Sequence, residues 1–164
     1  MNAAENHVHD LADKSPPHKY VADHGEPVQS SLDRVSIVDN QITIAENLTQ
    51  SERQLVETAI LATDPREKEC FSNALRLFEY DERFKYTEGY ASLPFCPDMV
   101  VEHAWVMLDG QKIVDPSTGF EDYYGVVITS EQILQQNTGA NFSPEGIICR
   151  RENWDFLRAQ GYTK

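Results

Sequence analysis

Long apolar runs, paired cysteines and positive charge are all scarce in this chain. No stretch approaches the roughly 20 consecutive apolar residues that a membrane-spanning helix needs, so no membrane partner is expected. There are only three cysteines, Cys70, Cys96 and Cys149. They are odd in number and no two have CxxC spacing, which argues against a zinc knuckle or a redox motif and suits a reducing compartment. Lys and Arg number 14 against 27 Asp and Glu, a net charge of −13. A surface of that sign repels phosphate backbones, which excludes general nucleic-acid binding. The first ten residues, MNAAENHVHD, lack the basic and then apolar regions of a secretory signal. The expectation is a soluble, acidic protein that is cytoplasmic by default. Export without a cleaved signal stays open, and the oligomeric state is not legible.

Histidine is scarce as well. Four of the five fall in the first 24 residues, so His103 is the one candidate base in the remainder. At 164 residues the chain suffices for one ordinary domain and is too short for two well-cored ones. Residues 1–33 form a composition of their own, rich in Asp, Glu, Ser, Pro and His, with few large apolar side chains. Such a segment reads as a polar, flexible tail, ordered only if it lies on the body. His7-Val-His9 is at most a weak metal grip, since no third spaced ligand completes it. No metal or organic cofactor is implied.

The body, 34–164, shows its elements by pattern. RVSIV and QITIA alternate around Asp39-Asn40, a hairpin signal. Thr49-Gln-Ser-Glu52 is a capping box that opens a helix with Leu55, Val56, Ala59 and Ile60 on one stripe. Asp64-Pro65 looks like a second helix start, and Phe71, Ala74, Leu75 and Phe78 give that helix an apolar face to about Tyr80. Strands are expected at 84–91, 102–108, 111–115, 123–128 and 146–149. Ser130 would cap a short helix over 131–137, and Gly161 would stop a last helix over 152–160. Helices first and an antiparallel sheet after them make the class α+β.

Cys70, His103 and Asp115 are a sulfur, an imidazole and a carboxylate in the order that thiol nucleophilic catalysis requires. Parity between His103 and Asp115 is decisive. A two-residue Asp109-Gly110 turn pairs Leu108 with Gln111 and throws the two side chains to opposite faces. A three-residue loop, Leu108-Asp109-Gly110, pairs Met107 with Gln111 and sets His103 directly across from Asp115. Glycine suits either turn. A helix beginning near Lys68 or Glu69 would put Cys70 in its first turn, where free N–H groups favour a thiolate; one beginning at Pro65 would not.

HAWV followed by VDPST, after a helix bearing a cysteine and a strand ending EGYA, resembles the transglutaminase-like branch of the papain-like cysteine enzymes. The resemblance covers roughly residues 66–128. It implies a papain-like core in which the cysteine helix packs on an antiparallel sheet. It also implies Cys70 as nucleophile, His103 as general base and then acid, and Asp115 as the orienting carboxylate. Only 32 residues separate Cys70 from His103, a compact version without a large insert. The family's oxyanion donor has no clear counterpart; the Cys70 N–H is one candidate, and the Ser72 and Asn73 side chains are weaker ones. Trp105, Tyr124 and Asn73 are taken as candidate substrate-binding residues, although Trp105 reads better as core or pocket wall. The expected partner is a peptide, protein or small amide or acyl substrate. Two other classes remain open: an inactive module that kept the fold to bind, and an acidic interaction protein that contacts a basic partner.

Overall fold

Alternating apolar residues build one antiparallel sheet of seven strands in the computed structural model, which describes residues 1–117, 119–129, 146–149 and 154–159. The strands are β1 (Glu26–Pro27), β2 (Leu32–Ile37), β3 (Asn40–Ala45), β4 (Phe84–Leu93), β5 (Cys96–Leu108), β6 (Lys112–Asp115) and β7 (Asp122–Val127). Their spatial order is β1-β7-β4-β5-β6-β3-β2. The helices are α1 (Ala3–Leu11), α2 (Pro16–His24), α3 (Gln50–Thr63), α4 (Cys70–Tyr80) and α5 (Trp154–Ala159). The fold is α+β, with α4 packed on β4 and β5 of the antiparallel sheet. Among the described residues, no helix is long and apolar enough to cross a membrane.

The pleat divides the side chains into two layers. One face carries Ile42, Ile44, Tyr86, Tyr90, Ala104, Val106, Leu108 and Val114, and the helices cover it with Val56, Ile60, Ala74 and Leu77. The opposite face holds a smaller cluster of Ala45, Ala91, Trp105, Ile113 and Tyr123. The capping box forms as expected, with the Thr49 N–H donating to Glu52 at 2.8 Å and the Glu52 N–H to the Thr49 hydroxyl at 3.2 Å. Glu52 also accepts from Lys112 Nζ at 2.8 Å, which pins the start of α3 to β6, the strand that ends in Asp115.

Residues 1–33 lie on the body. Ala4, Val8 and Val21 are fully buried in the main core, and Tyr90 stacks on His18 with ring centroids 4.3 Å apart. Pro27 pairs with Tyr124, so this segment also supplies an edge strand of the sheet. Pro16 and Pro17 are buried as well, and the sheet presents tyrosine faces for the imidazoles to cover. His7 turns to His18 and Tyr90 while His9 turns to Tyr124, so the two do not converge on a common point.

The second helix does not begin at Pro65. The Asn73 side chain takes the Arg66 N–H at 3.0 Å and donates to the Arg66 carbonyl at 2.7 Å, and Lys68 adopts a left-handed φ of 61°. The left-handed Lys68 is incompatible with helix there, and α4 opens at Cys70 itself. The strand expected at 146–149 is absent. Gly146 has φ 84°, and the next two N–H groups converge on the buried Glu88 carboxylate at 2.8–3.2 Å instead of on a neighbouring strand. The helix expected over 131–137 with its Ser130 cap, and the Gly161 stop, lie outside the described residues.

Candidate active site

The β5–β6 turn decides where His103 and Asp115 point. Asp109 and Gly110 both take left-handed φ, 53° and 74°, and the Gln111 N–H donates to the Leu108 carbonyl at 3.0 Å. The ladder resumes with Leu108 opposite Lys112, then Met107 opposite Ile113 and Val106 opposite Val114. The loop is therefore three residues, Asp109-Gly110-Gln111, one position later than the sequence suggests. Its odd length puts His103 and Asp115 on one face. Continuing the register sets Asp115 beside Trp105, and it reaches His103 diagonally. His103 Nε2 and Asp115 Oδ2 are 2.8 Å apart, both side chains almost wholly buried.

Asp115 is held from two further sides. Its Oδ1 accepts the Ser117 N–H at 2.9 Å, and the Oδ2 that meets His103 also accepts the Tyr123 hydroxyl at 2.7 Å. The Phe120 ring lies 4.3 Å from the imidazole and Trp105 stacks at 5.9 Å. Burial by itself pulls the His103 pKa down. The Asp115 charge and hydrogen bond, with a smaller push from Cys70, outweigh it and carry the value up to about 10. The imidazole is thus a cation at neutral pH, with Nε2 committed to Asp115 and Nδ1 the remaining nitrogen.

Cys70 is half-buried and is the first residue of α4. The Asn73 N–H donates to the Glu69 carbonyl at 2.8 Å, so the N–H groups of Cys70, Phe71 and Ser72 have no helical acceptor. An oxyanion beside that end of the helix is favoured. Cys70 and His103 line the same cleft, about 520 Å³, together with the Pro65–Lys68 loop, the β2–β3 turn and Phe120. Across that cleft Cys70 acts on His103 through a side-chain hydrogen bond and through charge, each of which raises the imidazole pKa.

The other expected site residues go elsewhere. Trp105 is 1% exposed and packs edge-on to Tyr123, 5.1 Å away, as a wall behind His103. Asn73 is buried and spends its amide on Arg66 and on Arg76 Nη2, so it shapes the loop before Cys70 and does not face the cleft. Tyr124 lies on the helical face, where its hydroxyl approaches the Ala22 carbonyl at 3.5 Å. Its neighbour Tyr123 is the tyrosine that reaches Asp115. Strand alternation made one of that pair face the site, but the sequence does not say which until the register of β7 on β4 is known. Cys96 is exposed and Cys149 is buried. Among the described residues, no group of three or more His, Cys, Asp or Glu side chains is placed to hold a metal. Compared with protein-family models, curated proteins and solved structures, the chain has no match, so its own geometry carries the functional reading.

Proposed function

We propose that the chain is a cysteine-nucleophile enzyme with a papain-like, transglutaminase-like core, acting on an amide or related acyl bond through a thioester. One observation carries this reading: a buried imidazole, fixed by a carboxylate at 2.8 Å, lines the same cleft as a half-buried cysteine at the first position of a helix. Cys70 is the nucleophile, His103 the proton carrier and Asp115 the group that orients and charges the imidazole.

The chemistry follows from those positions. The Cys70 sulfur bonds to the acyl carbon, and the carbonyl oxygen takes the negative charge, with the N–H groups at the start of α4, which have no helical acceptor, as donors. The carbon–nitrogen bond then breaks, and the departing amine takes its proton from His103. A water molecule, or an amine in a transferase, gives a proton back to His103 and attacks the thioester. The carbon–sulfur bond breaks, which releases the acyl product and the thiolate. A peptide, a protein or a small amide fits this scheme equally.

The test is labelling of the full chain with acyl-bearing thiol electrophiles, read by mass spectrometry of the modified peptide. Modification confined to Cys70, and lost on substituting His103, supports the proposal. Equal labelling of Cys70 in the His103→Ala variant contradicts it and leaves a binding module.

A further inference from the structure

Asp115 is bound more richly than a simple orienting carboxylate requires. Its Oδ2 receives two donors, His103 Nε2 at 2.8 Å and the Tyr123 hydroxyl at 2.7 Å, and its Oδ1 receives the Ser117 N–H. The Asp115, His103 and Tyr123 side chains are 1% exposed or less. We propose that Tyr123 is a positioning residue of the His103–Asp115 pair, which fixes the carboxylate oxygen used by the imidazole and limits the negative charge offered to it. The inference rests on the reading of His103 and Asp115 given above.

The geometry favours this over a packing role. The Tyr123 ring is already held by its edge contact with Trp105, 5.1 Å away, and by the small cluster on that face of the sheet. Packing alone would accept phenylalanine. Burial and the neighbouring Asp115 raise the Tyr123 pKa well above its usual value, so the hydroxyl keeps its proton and remains a donor. Two donors on one carboxylate oxygen share its charge. Removing one leaves more of that charge to the other, and the imidazolium is then held more tightly. A proton carrier held too tightly is slow to release its proton, so the second donor keeps His103 usable.

The groups that face the pair are few. Thr43 of β3 and Arg34 of β2 both act on the phenol and favour its ionised form, without overcoming burial. Cys70 adds to the positive drift of His103 from the cleft side. Glu102, next to His103 in sequence, also lines the cleft.

The test is titration of His103 by nitrogen-15 NMR in the wild-type chain and in Tyr123→Phe, with the signal assigned by His103→Gln. Alkylation rates of Cys70 against pH are measured on the same samples. Tyr123→Phe is expected to raise the His103 titration midpoint by about half a pH unit and to keep the melting temperature close to wild type. Should phenylalanine disturb folding, 3-fluorotyrosine at position 123 is the second probe. It is a stronger donor of nearly the same shape, and it should move the midpoint down. A midpoint that stays fixed, or moves the opposite way, with either replacement overturns the inference. A wild-type Cys70 no more reactive than an ordinary thiol would instead defeat the thiol-enzyme reading, and the titration would still decide whether Tyr123 tempers the pair.

Discussion

Asp115 does not sit directly across the β5–β6 hairpin from His103, yet its Oδ2 meets the imidazole Nε2 at 2.8 Å. The three-residue loop gives the parity, and the diagonal offset is spanned by the carboxylate. The diagonal leaves room for the Ser117 N–H and the Tyr123 hydroxyl to close on the same group.

Asp115→Asn should keep the fold and lower activity by about 10⁴, the scale seen when a triad carboxylate becomes an amide. It should also change how stability depends on pH. The folded pKa of His103 is raised from 6.5 to about 10, so the pair stabilises the fold fully below pH 6.5 and loses that contribution as pH rises through 10. Urea denaturation at pH 6, 8 and 10 should show the gap between wild type and variant shrinking with pH. A constant gap would mean that the pair carries no such linkage.

Removing residues 1–27 should destabilise the protein. Val8 and Val21 are fully buried, and losing the burial of two such side chains, with the apolar surface they cover left open to water, costs roughly 3 kcal/mol or more. An unchanged melting temperature for the truncated chain would contradict the packing. Acid should loosen the same helices first. Burial against Tyr90, with a smaller push from His7, lowers the His18 pKa to about 4, so its contribution is present above pH 6.5 and lost as pH falls toward 4. Hydrogen exchange at the Val8 and Val21 amides should accelerate across that window ahead of exchange in β4.

Gly89→Ala should be poorly tolerated. A Cβ there would lie 2.2 Å from the Tyr124 carbonyl oxygen and 2.5 Å from the Gly125 Cα, and neither backbone atom can step aside. Overpacking of that kind typically costs about 1–3 kcal/mol. Gly89 pairs with His103 on one side and Gly125 on the other, so the strain falls between β7, which carries Tyr123, and the strand on which His103 is registered. A fall in melting temperature with slower Cys70 alkylation is expected; an unaffected Cys70 would separate the glycine from the site.

Much of the fold was legible because it rests on local patterns. The capping box at Thr49, the alternation that pairs β2 with β3 (although its turn falls at Val38-Asp39, one residue before Asp39-Asn40) and the apolar stripe of α4 each act over a few residues. Long-range effects stayed hidden. Nothing local shows that Asn73 reaches back to Arg66 and moves the start of a helix from Pro65 to Cys70. Nor does local pattern show that the N–H groups of Ile147 and Ile148 serve Glu88 instead of a strand. At the site, Cys70, His103 and Asp115 are readable as residue types in order. Tyr123 in place of Tyr124 follows from a register that only the assembled sheet fixes. The N-terminal helices were obscured because their burial depends on tyrosines over 70 residues away.

The most direct measurement is the rate of iodoacetamide alkylation at each cysteine between pH 5 and 9, in wild type and in His103→Ala. Cys70 should react faster than exposed Cys96 near neutral pH, and buried Cys149, whose pKa is raised by burial, should be nearly inert. Loss of the imidazolium in His103→Ala should slow Cys70 most at pH 6–7 and leave Cys96 unchanged. If Cys96 is labelled first and Cys70 behaves alike in both proteins, the imidazole does not serve the sulfur, and the account of this cleft as a thiol active site is contradicted.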